Sequence, residues 1–321
     1  MATKKPSIEL SVVIPCYNEE AGLPEMIRRT DNVLKHSGAS YEMILVNDGS
    51  RDNTFGAAVH LSTVYDRLLV VNLSRNFGHQ VAVTAGMDMA RGSAVVLIDA
   101  DLQDPPELIA DMVAKWREGF EVVYGQRRTR AGETFFKLLT ARVFYRLLRR
   151  ITKVNIPVDT GDFRLMDRKV VEAMKRLRES HRFIRGLVSW TGFKQAPVLY
   201  DRKTRFSGET HYPFRKMFLF SLDAITSFSI LPLRLLTFLG LSVVLLALLF
   251  SLYVLTVKIF DPGYFLPGFP TIVLLILFFG GIQLLSVGLI GEYVGRIYEE
   301  IKRRPLYFVE AVYRRGKQQS L

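Results

Sequence analysis

The segment Asp99-Ala100-Asp101-Leu102-Gln103-Asp104 follows directly on the apolar run SAVVLI. Two carboxylates spaced D-x-D after a buried strand can both project into one crevice. Hard divalent cations such as Mg2+ and Mn2+ take oxygen ligands, commonly one or two carboxylates plus substrate phosphate oxygens. The segment therefore suits a nucleoside diphosphate, with a metal neutralising charge on the leaving group. Taken alone, the pair equally reads as solvated or capping residues at a strand end. Two further motifs lie upstream. Pro15-Cys16-Tyr17-Asn18-Glu19-Glu20 closes the run LSVVIP, and Asn47-Asp48-Gly49-Ser50 closes EMILV. A Tyr can stack on a nucleobase, Asp48 can accept from a base N–H or a ribose hydroxyl, and Gly49 permits a tight turn. The second motif also fits an ordinary turn that caps the next helix.

Residues 10–15, 42–50, 67–74, 93–101 and 121–127 read as strands. Helical patterns end at Gly38 and occupy 79–92 and 105–119. Strands alternating with helices predict βαβ units and a mainly parallel α/β sheet. Polar clusters stand just past the strand ends: Asn18-Glu19, Asp48, Arg75-Asn76, Asp99 with Asp101, and Arg127. Ligands of open α/β sheets bind there, so the five clusters predict one crevice. Residues 135–153 form a basic amphipathic helical pattern with Lys137, Arg142, Arg146, Arg149 and Arg150. It fits either a helix packed on the sheet or one lying at headgroup level. Residues 214–234 resemble a second interfacial segment.

Hydrophobic residues make up 49% of the 321 positions and charged residues 23%, which excludes a disordered chain. The net charge of +12 suggests an anionic partner. Membrane flanks account for much of that charge without nucleic acid. Cys16 is the sole cysteine, so no intramolecular disulfide forms. Residues 235–257 and 262–291 carry no charge. About 20 apolar residues span a bilayer core, so two transmembrane helices are expected, about 235–257 and 270–291. The stretch between them carries only Lys258 and Asp261, whereas Arg296, Lys302, Arg303, Arg304, Arg314, Arg315 and Lys317 follow. The positive-inside rule then places both termini in the cytoplasm. The expected organisation is a cytoplasmic domain at 1–210, an interfacial linker at 211–234, a transmembrane hairpin at 235–291 and a basic cytoplasmic tail at 292–321.

In order and spacing, the P-x-Y-N-E, N-D-G-S, S-R-N-F-G (Ser74 to Gly78) and D-A-D-L-Q-D segments resemble those of the GT-A glycosyltransferases of family 2. Asp159-Thr160-Gly161-Asp162-Phe163-Arg164-Leu165-Met166, Ile225-Thr226-Ser227-Phe228 and Gly291-Glu292-Tyr293-Val294-Gly295-Arg296-Ile297-Tyr298 extend the likeness to the polyprenyl-phosphate glycosyltransferases. It covers about residues 8–310. The resemblance implies a GT-A, Rossmann-like domain in the inner (plasma) membrane, transferring sugar from a UDP-sugar to undecaprenyl phosphate with inversion. Glucose is the favoured sugar; N-acetylhexosamines, mannose, galactose and aminoarabinose stay open. Pro15, Tyr17, Glu19 and Asp48 would line the nucleotide pocket, with Asp99 near nucleotide and sugar. Asp99, Asp101 and Gln103 would hold Mg2+ or Mn2+. Arg127 would reach the phosphates. Asp162 matches the position usually named the catalytic base, although a lipid phosphate is already an anion and needs little deprotonation. Arg205 matches an arginine of a closing loop, in which His211 stands where a lysine is common. A homo-oligomer is compatible with the likeness. A membrane scaffold with a decayed transferase domain is the rival reading; intact Asp99, Asp101, Gln103, Arg127 and Asp162 argue against it.

Overall fold

The computed structural model describes residues 8–128, 157, 160–201, scattered positions between 238 and 260, and 268–319. The apolar runs form β1 (Leu10–Cys16), β2 (Tyr41–Asn47), β3 (Leu68–Leu73), β4 (Ala94–Leu97) and β5 (Val122–Arg127). All of β1, β2 and β4 is buried, as continuous apolar runs covered on both faces should be. Between the strands lie α1 (Leu23–His36), α2 (Thr54–Val64), α3 (His79–Met89) and α4 (Ile109–Arg117). Then come β6 (Thr160–Asp167), α5 (Arg168–Arg176), α6 (Ile184–Trp190) and β7 (Gln195–Tyr200). A long helix α7 (Phe269–Ile301) precedes β8 (Val309–Arg314) and β9 (Lys317–Gln319).

The nine strands make one sheet in the order β7-β5-β6-β4-β1-β2-β3-β8-β9. Its centre, β4-β1-β2-β3, is parallel. The flanks are not uniform. β6 runs antiparallel between β4 and β5, while β5 and β7 are parallel. β8 pairs antiparallel with β3, and β9 with β8. The sheet is therefore mixed rather than mainly parallel. The strands that break the parallel pattern, TGDFRLMD and VEAVYR, carry charges and so do not stand out as apolar runs. Their charges find partners on folding, which lets them enter the sheet.

Helix α3 seats directly on the centre of the sheet. Gly86 makes this possible: a Cβ there would stand 2.2 Å from Val13 Cγ1 on β1 and 3.1 Å from Val46 Cγ2 on β2. One buried charge inside the core is likewise compensated. Glu42 of β2 accepts from Ser11 Oγ (2.7 Å) and from the Arg91 amide (2.8 Å).

The chain divides into two units, Met1–Pro213 with Pro305–Leu321, and Phe214–Arg304. The end of the chain therefore corrects the expectation of a basic tail at 292–321. Helix α7 runs on to Ile301, and β8 and β9 extend the sheet beyond β3. Among the described residues, one helical stretch, Phe278–Ile301, is long and apolar enough to cross a membrane by length and composition. The span expected at 270–291 lies within α7. The span expected at 235–257 falls largely outside the described residues, and a two-helix hairpin is not established. The patterns at 135–153 and 214–234 also lie outside the described residues.

Candidate active site

The loops after β1 and β2 are stitched together. Asn18 stands at φ 55°, a left-handed conformation that Asn tolerates well. Its amide donates to Ser50 Oγ (3.0 Å), and its Oδ1 accepts from the Arg51 amide (2.8 Å). The Glu19 amide donates to Thr54 Oγ1 (2.9 Å). Pro15 is buried within β1, whereas Tyr17 keeps 37% of its surface exposed. Between Glu19 and the D-x-D segment stands Gly22, whose Cβ position is 3.8 Å from both Glu19 Oε2 and the Ala100 carbonyl oxygen. Leu102 is buried at φ 59°. A non-glycine residue there costs about 1–2 kcal/mol. The turn lets Asp101 Oδ1 accept the Gln103 amide (3.1 Å).

Asp162, on β6, is held by side chains from two helices. Its Oδ1 accepts from Arg185 Nε (2.7 Å). Its Oδ2 accepts from Gln80 Nε2 (3.1 Å) and lies 3.2 Å from His79 Nε2. That same His79 nitrogen is 3.5 Å from Asp99 Oδ1. Arg185 also donates to the Thr160 carbonyl (2.9 Å), and Gln80 Oε1 accepts the Ile184 amide (2.8 Å). Burial alone pushes the Asp162 carboxyl up, but Arg185 and His79 outweigh it and hold the carboxyl well below the usual range. Burial lowers the His79 imidazole, yet Asp162 and Asp99 raise it to about 9, so it is cationic at neutral pH. Asp99 is raised by burial, against His79, with Asp162, Asp104 and Asp101 adding to the rise.

A second cluster adjoins the first. Tyr200 donates to the buried Asp104, and Arg127 hydrogen-bonds the same tyrosine. Gly161, next to Asp162, has its Cβ position 3.4 Å from Arg127 Nη2 and 3.5 Å from Asp104 Oδ2. Among the described residues, Arg127 Nε is buried without a hydrogen-bond partner. A buried unpaired guanidinium nitrogen is costly and suits an anionic ligand.

The fold thus brings Asp99, Asp101, Asp162 and Arg127 to one region, with Glu19 beside it. Asp48 stands at the end of β2 and holds the chain before α3. It is 2% exposed, and its two oxygens accept the amides of Phe77 (2.7 Å) and Gly78 (2.9 Å). Arg205 lies outside the described residues, as do His211, Lys137, Arg142 and Arg146. Sequence reasoning passed over His79, Gln80 and Arg185. The first two directly follow Ser74 to Gly78, which was the available signal. Arg185 carried none, since it acts across 23 residues from a short helix.

Among the described residues, no three His, Cys, Asp or Glu side chains group closely enough to hold a metal by themselves. The donor set nonetheless suits a shared site. Asp99 has Asp101, Asp104 and Asp162 as neighbours whose charges raise it, and carboxylate oxygens are the donors a hard divalent cation takes. The remaining ligands would come from diphosphate oxygens, as is usual for Mg2+.

A family model described as "Glycosyl transferase family 2" matches residues 11–174, and the chain belongs to that family. The mixed α/β sheet is of the GT-A type. The Bacillus subtilis protein named uncharacterized glycosyltransferase YkcC is 51% identical over 306 residues, covering 95% of this chain and 94% of the relative. The Escherichia coli K12 protein named prophage bactoprenol glucosyl transferase homolog is 38% identical over 306 residues, covering 95% and 99%. The bactoprenol glucosyl transferase of Shigella phage SfII is 38% identical over 310 residues, covering 96% and 99%. The likeness to polyprenyl-phosphate glycosyltransferases read from the motifs therefore stands across nearly the full chain.

Proposed function

We propose that this chain transfers a sugar, glucose in the first instance, from a UDP-sugar to a polyprenyl phosphate at the cytoplasmic membrane face. The observation that carries the reading is the sharing of His79 by Asp99 and Asp162, 3.5 and 3.2 Å away. It links the D-x-D segment to the acidic residue of β6. The names of the relatives at 38% identity support the lipid phosphate acceptor and glucose.

Asp99, Asp101 and Gln103 would hold a divalent cation together with diphosphate oxygens. When bound, that cation supplies charge neutralisation on the leaving UDP. Arg127, with its orphaned Nε, would bind a phosphate oxygen nearby. Asp162 is a poor proton acceptor, because Arg185, His79 and Gln80 already occupy its oxygens. The acceptor phosphate needs no base, so Asp162 serves as a fixed anion that orients the reactants. Attack in line on the anomeric carbon would turn an α-linked donor into a β-linked lipid phosphate sugar. Positioning and electrostatics would supply most of the rate.

Chain connectivity supports an even number of membrane crossings. Residues 305–319 belong to the same unit as residues 8–201, with β8 paired to β3. Whatever leaves that unit at 214 must return to the same side by 304. If α7 crosses once, the uncharged run 235–257 is the natural second crossing.

The test is transfer by full-length protein in nanodiscs with polyprenyl phosphate and a panel of labelled nucleotide sugars. Mg2+, Mn2+ and EDTA arms run beside Asp101→Asn. Label should enter the lipid from UDP-glucose, require the metal and fall at least about 100-fold in the variant. Folded protein inert toward every donor would favour the scaffold reading instead.

A further inference from the structure

Asp104 closes the segment that begins at Asp99, and the proposed transfer uses Asp99, Asp101 and Gln103 but not Asp104. It is 1% exposed, too deep to be a solvated strand-end residue. The Tyr200 hydroxyl, at the end of β7, donates to Asp104 Oδ1, and the Tyr200 oxygen accepts in turn from the Arg127 side chain. Burial first, then the charge and bond of Asp104, push this tyrosine well above the usual phenol range, so the hydroxyl keeps the proton it donates. The ring is itself fixed. It stands edge-on to Phe163 of β6, with centroids 6.3 Å apart, and Gly125 of β5 leaves room for it: a Cβ there would be 3.0 Å from Tyr200 Cε1. Arg127 and Tyr200 are register partners in the parallel strands β5 and β7, and the Arg128 amide donates to the Tyr200 carbonyl (2.9 Å). Gly161, beside Asp162, has its Cβ position close to both Arg127 Nη2 (3.4 Å) and Asp104 Oδ2 (3.5 Å). The three side chains therefore meet where β5 and β7 end and β6 begins.

We propose that Tyr200 and Asp104 are positioning residues: Asp104 holds the Tyr200 hydroxyl, and the Tyr200 oxygen holds the Arg127 guanidinium where it meets a substrate phosphate. The inference rests on the glycosyl-transfer reading and adds two residues to it. Arg127 is half-buried at a strand end, and a long side chain left unheld there gives up rotamer freedom when it meets an anion. A phenol oxygen fixes a guanidinium without neutralising it, so the cation keeps its charge for the phosphate. That phosphate belongs either to the donor diphosphate or to the lipid, and both present the same oxygens.

The experiment uses full-length protein in nanodiscs with Mg2+: wild type, Arg127→Gln, Tyr200→Phe, Asp104→Asn, Asp104→Ala and the Arg127→Gln/Tyr200→Phe double variant. Affinities are measured for two pairs of ligands, UDP with uridine and farnesyl phosphate with farnesol. Within each pair the ratio isolates what the phosphate adds, and the two pairs separate donor from lipid. Arg127→Gln should shrink one of the two ratios about 10- to 100-fold, as loss of a charged hydrogen bond does. Tyr200→Phe, which keeps the ring against Phe163, should shrink the same ratio about 3- to 10-fold and leave uridine and farnesol within about 2-fold. Asp104→Asn keeps an acceptor for the hydroxyl and should lose less than Asp104→Ala. The double variant should match Arg127→Gln alone, because without the guanidinium the hydroxyl has nothing to place.

Wild-type ratios in Tyr200→Phe, beside a shrunken one in Arg127→Gln, would overturn the proposal, and so would wild-type ratios in Asp104→Ala. Losses that multiply in the double variant would do the same. Uridine or farnesol affinity falling in step with the phosphate ligands would also overturn it, since that marks a collapsed site rather than a misplaced cation. Arg127→Gln leaving both ratios intact would take the phosphate away from Arg127 and the proposal with it. A wild type that binds UDP yet transfers to no lipid would count against the glycosyl-transfer reading, while the ratios would still decide the roles of Tyr200 and Asp104. Should Asp104→Ala fail to fold, Tyr200→Phe decides.

Discussion

Asp162 accepts from three side chains drawn from α3 and α6, and this crowding decides what it can do. A carboxylate held below its usual range by Arg185 and His79 keeps its charge and resists protonation. Removing a cation from a buried carboxylate is expensive, so Arg185→Ala should cost about 3 kcal/mol. The Arg185 side chain is 28% exposed, which places this below the cost of a fully buried pair. A thermal melt of solubilised protein should show the lowered midpoint, and transfer should fall with it. Arg185→Lys should restore less than half of the loss in midpoint, because an ammonium cannot reproduce the bond to the Thr160 carbonyl as well. At this scale the sequence displayed the acidic residues and Arg127, since motif spacing exposes them. It hid their partners. His79 and Arg185 meet Asp162 across 83 and 23 residues, and no local pattern reports such contacts. Asp48 was visible as a residue, but its partners are main-chain amides, which any sequence would supply.

Among the elements, α3 carries most of the positioning. Its first turn reaches the Asp162 cluster, and its body lies on β1 and β2 where Gly86 leaves room. Gly86→Ala would place a methyl 2.2 Å from Val13 Cγ1. Overpacking of this kind typically costs about 1–3 kcal/mol. The lifted helix should also move His79, so kcat should fall more than UDP affinity does. A variant melting and turning over like wild type would mean that α3 repacks freely. Strands β1 to β5 and α3 itself were legible because apolar runs bounded by Gly and polar turns have few other readings. Helix α2 was not legible: TFGAAVHLSTV has almost no polar face and begins without a side-chain cap. Strand β6 was visible as a motif rather than as a strand, since Asp162 and Arg164 interrupt its apolar pattern. Burial lowers the Arg164 guanidinium to about 10, against the pull of Asp162, so both charges sit inside the sheet at some cost.

Over the whole molecule, the important fact is that the chain returns to the sheet after α7. Asn47 Nδ2 donates to Asn72 Oδ1 (2.7 Å), and Asn72 Nδ2 donates to Glu310 Oε2 (2.7 Å). This buried relay ties β8 through β3 to the Asn47-Asp48-Gly49-Ser50 turn. Tyr307 adds a bond to Asp88 near the end of α3 (2.8 Å). Ending the chain after Arg304 would leave β3 as a bare edge strand, a recognised route to aggregation. Such a truncation should abolish transfer and lower yield, whereas a free tail could be lost without effect. Purified yield and transfer of the truncated protein check this. The return was hidden in the sequence because Arg314, Arg315 and Lys317 read as membrane flank, and basic residues suit an exposed edge equally well.

The central claim is transfer to a lipid phosphate, and the acceptor tests it most directly. Full-length protein would be given labelled UDP-glucose with Mg2+ and either undecaprenyl phosphate or undecaprenol. The account predicts label in the lipid phase with the phosphate alone, released by mild acid as glucose. Equal labelling of undecaprenol, or label released only as free sugar in both arms, would contradict it.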